Sequence, residues 1–268
     1  MSIIVINRYR IKIPHIIKIF KNYLIKYKII SMIKAYSKDL TYSYVEGFFP
    51  TFELIKYRKD DLIAIYVNSD AINSDGLNKL KDFVDEKYFI YSDKAFSISK
   101  SKDNAHVLAV FKKKLKNLNK NDDHLVLVNP SDMGNLGNSM RSLLAFGFHN
   151  LAIITPAADI FNPKTIRASM GSFFHINIET FSTFEEYLNK YSREYYPFVL
   201  TSSKPLADVK FKEKCALVFG NEATGLPTSI YNSNNVKIEQ SDEVDSLNLT
   251  TSIAIGLYEL KKQKESIK

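Results

Sequence analysis

The sequence predicts an α/β protein whose C-terminal unit is a parallel sheet with helices on both faces, preceded by a smaller α/β unit. Two observations carry that prediction. Between residues 124 and 268, short apolar runs of buried-strand length alternate with segments of helical periodicity. Just upstream, the stretch KKKLKNLNKNDD at 112–123 has the polar, Asn- and Lys-rich composition of a linker. The chain therefore divides into an arm (1–40), a small unit (41–111), a linker (112–123) and a larger unit (124–268).

The elements follow in order. Residues 1–40 mix Ile, Lys and Tyr without a turn signal, which predicts one or two helices with an Ile face. The segment carries Arg8, Arg10, Lys12, Lys18, Lys21, Lys26, Lys28, Lys34 and Lys38 against Asp39 alone, and so accounts for the whole net charge of +8. A basic arm that touches nucleic acid and an extension drifted toward Ile- and Lys-rich codons explain it equally well, and Met32 is a candidate initiator. In the small unit, LIAIYV (62–67) has buried-strand length, and Ser74 can cap a helix through Leu77, Leu80 and Phe83. A strand resumes at Tyr88–Tyr91, and HVLAVF (106–111) closes the set. In the larger unit the strands are LVLV (125–128), LAII (151–154), FVL (198–200), ALVF (216–219) and VKI (236–238). Helices fall near 137–147, 163–172, 182–193 and 248–263, the third opening with Ser182 and Glu185 at capping-box spacing.

Composition narrows the function classes. With 45% apolar residues, 16 Tyr and 18 Phe, the chain can fill a sizeable core. Cys215 is the single cysteine, so no intrachain disulfide forms and a reducing cytoplasm is the expected compartment. The five histidines show no metal-ligand spacing, so no metal is expected. Lysines interrupt every Ile-rich run before it reaches the ~18–20 residues of a membrane span, and no signal-peptide pattern opens the chain.

Three segments carry candidate chemistry. In VNPSDMGNLGNSMRSLLAFG (128–147), a strand runs into a turn containing Gly134 and Gly137, then a helix whose Arg141 lies one turn in. Glycines allow close approach of backbone to a ligand, and helix N-termini attract anions, although such turns also serve packing alone. Asn135 adds an uncharged donor and acceptor. In ALVFGNEATGLP (216–227), a buried strand ends in Gly220-Asn221-Glu222, where ligands of open α/β sheets bind. A charge at that point must be hydrogen-bonded, to backbone N–H groups of a neighbouring loop or within its own turn. In DSLNLTTSIAIGLYEL (245–260), Ser246 and Asn248 cap a helix whose first turn is rich in hydroxyls.

Taken together, these segments resemble the TrmH/SpoU branch of the SPOUT methyltransferase superfamily. The likeness rests on Asn135-Leu136-Gly137 with Arg141, on Gly220-Asn221-Glu222-Ala223-Thr224-Gly225-Leu226, and on Ser246-Leu247-Asn248, in that order. PKTIRASMGSFFHI (163–176) is similar to the family's segment between the first two motifs, so about 145 residues are covered. Upstream, VEGFFPTFELI (45–55), the strand at 62–67 and HVLAVF resemble the small L30e-type RNA-binding domain of many members. Asn138 and Ser139 depart from the small or apolar residues of many relatives, and Thr251 from their Val or Ala.

The resemblance implies a C-terminal trefoil knot, a homodimer, and S-adenosylmethionine bound in a bent form. It implies methyl transfer to a ribose 2′-hydroxyl of a structured RNA, and the L30e-like unit and basic arm favour ribosomal RNA over tRNA. It implies cofactor contacts at Gly220, Glu222, Gly225, Ile238, Ser246, Leu247 and Asn248, and catalytic roles for Arg141, Asn135 and Asn248. A sulfonium already carries an activated methyl, so positioning and help with one proton suffice. Because a guanidinium stays protonated in proteins, Arg141 suits a phosphate clamp and charge stabiliser better than a base. The alternatives are a non-catalytic RNA-binding or ribosome-associated protein with the same fold, and a nucleotide-binding enzyme, for which no G-x-G-x-x-G is present.

Overall fold

The computed structural model describes residues 4–6, 9–11, 33–99 and 105–266. In the arm, β1 (Ile4–Ile6) and β2 (Tyr9–Ile11) pair antiparallel. Helices were the expectation there, and a β-branched IVI run favours strand instead. The rest of that expectation falls mainly on residues 12–32, which lie outside those described. Residues 33–40 pack onto the body: Ile33 is buried, the Tyr36 hydroxyl donates to Asp159 at 2.5 Å, and Lys113 Nζ donates to the Lys38 carbonyl at 2.9 Å.

The smaller sheet holds β3 (Tyr42–Glu46), β4 (Leu62–Val67), β5 (Phe89–Tyr91) and β6 (Val107–Lys112), in the order β3-β6-β4-β5. Only the β4–β5 pair is parallel. Helices α1 (Phe48–Arg58) and α2 (Asp75–Phe83) cover one face. Ser74 caps α2 by accepting from the Leu77 N–H at 3.2 Å, and Leu77 and Leu80 are fully buried. Phe83 differs from expectation: at the helix end it stays exposed, its ring edge-on to Phe52. The other face carries α3 (Lys94–Ser99) and a cluster around Tyr42, Tyr44 and Tyr66.

The larger sheet is entirely parallel. Its strands are β7 (His124–Val128), β8 (Asn150–Ile154), β9 (Asn177–Phe181), β10 (Glu194–Pro197) and β11 (Cys215–Phe219), in the order β10-β11-β7-β8-β9. Side chains alternate between faces, as the period of a strand requires. Leu125, Leu127, Leu151, Ile153, Leu217 and Phe219 face α4 (Met133–Ala145), α5 (Pro163–Ala168) and α7 (Leu249–Glu265). Val126, Val128, Ala152, Ile154, Ala216 and Val218 face α6 (Phe184–Lys190).

Several elements differ from the sequence expectation for local reasons. Asp132 caps α4 by accepting from the Asn135 N–H at 2.7 Å, so the helix begins before Gly134 rather than after Gly137. Gly137 serves packing: a Cβ there would stand 2.4 Å from the Thr165 carbonyl and 2.5 Å from the Ala168 Cβ. The cap of α6 is Thr183, with Glu186 reaching back to the Ser182 N–H, one residue later than the expected Ser182–Glu185 box. The expected helix at 163–172 ends at Ala168, before Met170 and Gly171 take positive φ. FVL is not a strand: β10 stops at Pro197, and Phe198 turns to a single bridge with Val236. VKI likewise makes isolated bridges only, Phe198 to Val236 and Pro205 to Lys237. The unforeseen β9 reads NIETF, an edge strand in which buried Ile178 and Phe181 are interspersed with less buried Asn177, Glu179 and Thr180.

The two sheets share one core, with Phe111 of β6 packed edge-on to Phe174 at 5.2 Å. Arg58, at the end of α1, crosses the junction. Its guanidinium is buried and donates to the carbonyls of Phe173, Phe174, Ile176 and Lys114 at 2.9–3.2 Å. Four acceptors take four of the five N–H groups of a cation that has no ion-pair partner among the described residues. No helix among the described residues is long and apolar enough to cross a membrane.

Candidate functional site

Sheet order decides which loops meet. Strands β7, β8 and β9 run outward from the centre, whereas β10 starts at the far edge and β11 closes inward against β7. The strand order therefore reverses between β11 and β7, and ligands of open α/β sheets bind outside the carboxyl ends of strands at such a point. The loops leaving those two strands are Asn129–Asp132 and Gly220–Leu226.

Glu222 joins them. Its carboxylate accepts from the Ser131 N–H at 3.1 Å and hydroxyl at 2.8 Å, from the Asp132 N–H at 3.3 Å, and from Asn135 Nδ2 at 3.2 Å. Partial burial pushes this carboxyl up, but the donated hydrogen bonds outweigh it and hold the pKa below the ordinary carboxylate value. A second tie runs beside it, from Asn221 Nδ2 to the Asn129 carbonyl at 2.7 Å. Asn221 Oδ1 also accepts from the Ala223 and Thr224 N–H groups, and its backbone pairs with Gly225. This loop is drawn so tight that a Cβ on Gly220 would lie 2.2 Å from the Gly225 carbonyl carbon. No other residue fits at Gly220.

The braced loop forms one wall of a cavity of about 360 Å³, near the lower end of the ~300–1,000 Å³ usual for small-molecule sites. Gly220, Glu222, Gly225, Ile238, Ser246 and Leu247 all line it, brought together from three separate segments. The wall mixes apolar Leu226, Ile238, Leu247 and Leu249 with the hydroxyls of Thr201, Ser246 and Ser252 and the amide of Gln240. Such a lining suits a flat, largely uncharged ring system bearing hydroxyls. Among the described residues no cluster of His, Cys, Asp or Glu could hold a metal ion.

The remaining expected residues stand elsewhere. Asn135 reaches the site only through Glu222. Asn248 is the cap of α7, accepting from the Thr250 N–H at 2.8 Å and hydroxyl at 2.6 Å, while Ser246 takes no part in the cap. Leu247 and Leu249 on either side of that cap face the cavity. Arg141 lies more than two turns into α4, not one, because the helix starts early; it is exposed and outside the cavity wall. Sequence reasoning missed Ser131 and Asp132, although Asn-Pro-Ser-Asp directly after a buried strand marks a loop rich in donors. Thr201 and Gln240 carried no such signal.

A family profile, SpoU rRNA Methylase, matches residues 123–258. The chain belongs to the SpoU rRNA methylase family. Among curated relatives, 23S rRNA (guanosine(2553)-2′-O)-methyltransferase RlmP of Bacillus subtilis is 29% identical over 134 residues, 48% of this chain and 54% of that protein. The chain spans about half the length of the curated relatives that it first matches. Its fold is that of the SpoU methyltransferase AviRb from Streptomyces viridochromogenes, solved in complex with the cofactor AdoMet. The TM-score is 0.74 at 19% identity, over 91% of this chain and 99% of that one. A structure concerned with 2-OH methylation of C/U34 on tRNA matches with TM-score 0.52 and 28% identity, over 55% of this chain and 99% of its own.

Proposed function

We propose that the chain transfers the methyl group of S-adenosylmethionine to a ribose 2′-hydroxyl of a structured RNA, ribosomal RNA rather than tRNA, as a cytoplasmic homodimer. The observation that carries this reading is the Glu222 brace, which ties the Gly220–Leu226 loop to the start of α4 beside the cavity in a chain of the SpoU family. On this reading 124–268 is the methyltransferase domain, 41–111 an L30e-like RNA-binding domain, 112–123 a linker and 1–40 a basic arm. The C-terminal segment is threaded as a trefoil knot; bridges that lay Val236 and Lys237 along the chain between Phe198 and Pro205 support that threading. The preference for ribosomal RNA rests on architecture. The relative RlmP has a stretch beyond its matched half, whereas the tRNA-related structure is covered almost whole by 55% of this chain, a share similar to that of the larger unit.

When bound, S-adenosylmethionine supplies an activated methyl group. The residues of the chain bind it, hold it in line and manage charge. Gly220, Gly225, Ile238, Ser246 and Leu247 form its walls, and the apolar and hydroxyl lining fits an adenosine. Glu222 and Asn135 keep those walls in place, and Asn248 anchors the helix that follows. Arg141 clamps an RNA phosphate and stabilises negative charge developing on the ribose oxygen, while a phosphate oxygen of the RNA accepts the proton. The exposed guanidinium, with no ion pair among the described residues, is free to do so.

The test is incubation of purified protein and methyl-labelled S-adenosylmethionine with ribosomal RNA or tRNA transcripts, followed by mapping of ribose methylation. Label at one ribose of ribosomal RNA is expected. Label on tRNA alone would overturn the substrate preference. Cofactor binding without transfer to any RNA would favour a non-catalytic RNA-binding protein.

A further inference from the structure

One exposed face is unlike the rest of the surface. Along α1, Phe49, Glu53 and Tyr57 follow one another at four-residue spacing and lie against the turn Met170–His175 of the larger unit. Glu53 and Phe49 fill the space that a Cβ on Gly171 would need, at 2.8 and 3.5 Å, and Glu53 also pairs with His175. The Tyr57 ring lies on the His175 imidazole at 3.7 Å between centroids. Despite those contacts Phe49 stays 56% exposed, Tyr57 40% and Met170 51%. Met170 is held outward by backbone at φ 48, a left-handed conformation costly for a side chain of this size, immediately before Gly171 at φ 85.

The face is also cationic. Lys56 Nζ stands 5.1 Å from the centre of the Tyr57 ring, and Arg167 is exposed three residues before Met170 with no ion pair among the described residues. Glu53, the acid between the two aromatic rings, is engaged by His175. Beneath the patch, Arg58 grips the carbonyls of Phe173 and Phe174 in the same turn and of Ile176 just after it, and joins the two units into one surface. Exposed rings beside exposed cations are the means by which proteins hold unstacked bases: the ring takes the base face and the cation the phosphate.

Resting on the reading of the chain as an RNA methyltransferase, we infer that Phe49, Tyr57 and Met170 form a stacking platform for unpaired bases of the substrate RNA, with Lys56 and Arg167 on its backbone. The platform straddles both units, so it sets the reach between the bound RNA and the cofactor cavity. Its preference is for single-stranded loops over uninterrupted duplex.

Fluorescence anisotropy with the full chain tests this, using a labelled RNA hairpin with an open loop and a blunt RNA duplex as probes. Phe49→Leu keeps the apolar contact over Gly171 but removes the aromatic face, and Met170→Gln removes an apolar surface without altering the turn. The double variant should melt as the wild type does, bind S-adenosylmethionine unchanged, lose roughly 5–100-fold in hairpin affinity, and leave duplex affinity unchanged. Methyl transfer at saturating RNA should persist with a raised KM. Wild-type hairpin affinity in a normally melting variant overturns the platform. So does a switch from dimer to monomer in light scattering with RNA affinity intact, which would make the face a protein interface. Absence of methyl transfer by the wild type overturns the enzyme reading and leaves the binding result to stand.

Discussion

The two ends of the larger sheet handle polar groups in opposite ways. At the amino ends of its strands, polar side chains are used up in closing the fold. Buried Asn150 accepts from the Asn119 N–H at 2.8 Å and from Asn177 Nδ2 at 3.2 Å, and donates to Asp122 at 3.2 Å. Glu179 is met by Lys190, by the Tyr191 hydroxyl and by the Leu118 N–H. Asp123 accepts from the Cys215 N–H and from Lys264 at the end of α7. At the carboxyl ends one carboxylate, Glu222, gathers the neighbouring donors, and the hydroxyls and amide around it face a cavity. Dense hydrogen bonding among side chains and backbone marks the end that holds the sheet together; an organised but open set of polar groups marks the end prepared for a ligand.

That contrast breaks first at Arg141, the residue expected to act beyond the cavity wall. Arg141→Ala should cut methyl transfer by ~10²–10³ while S-adenosylmethionine affinity, read by calorimetry, hardly changes. Arg141→Lys should retain part of the activity without a shift of the pH–rate profile, because lysine clamps as a point charge. Equal losses of cofactor binding and turnover would move Arg141 into the architecture.

The closed end should answer to acid instead. His124 is buried between the Tyr187 hydroxyl and the Asn119 carbonyl, and burial pushes its pKa down from 6.5 to about 4. An imidazole with a folded pKa below its unfolded one binds more protons when the chain unfolds, so acid favours unfolding. Its contribution is intact above about 6.5 and is lost as pH falls toward 4, by ~3 kcal/mol over the window. Urea unfolding at several pH values should show that slope in the wild type and a flatter one in His124→Phe. Equal slopes would place the acid sensitivity elsewhere.

At the open end, Glu222→Gln keeps the shape of the brace and removes its charge. Cofactor affinity should fall about tenfold with little change in melting temperature, since a hydrogen bond to a charged group contributes ~1.5–3 kcal/mol. A large drop in melting temperature with intact cofactor binding would make Glu222 a fold residue, like those at the other end. The smallest effect belongs to the arm. Removing residues 1–32, and sparing the packed segment from Ile33, should weaken RNA binding modestly and flatten its dependence on salt as fewer counterions are released. An unchanged salt slope would mean that the arm does not touch RNA.

What the sequence determined by itself was the run of elements and their chemistry. Apolar runs of strand length marked β4, β6, β7, β8 and β11, because a strand buried on both faces must be apolar throughout. Failures fell where an element's state depends on distant partners: β9 takes its strand from β8, and Val236 meets Phe198 across the fold. Gly220, Glu222 and Gly225 stood out as candidates because they follow such a strand, and the order of three motifs marked the family. Only the tertiary structure decided what those residues touch. Ser131 and Glu222 lie 91 residues apart and meet because β11 inserts beside β7, a pairing that no local propensity encodes. Arg58 likewise reaches carbonyls 56–118 residues away, because the two units pack into one core. Local hydrophobic patterning specifies a strand, whereas strand order, and with it the site, follows from how the whole apolar surface can be buried at once.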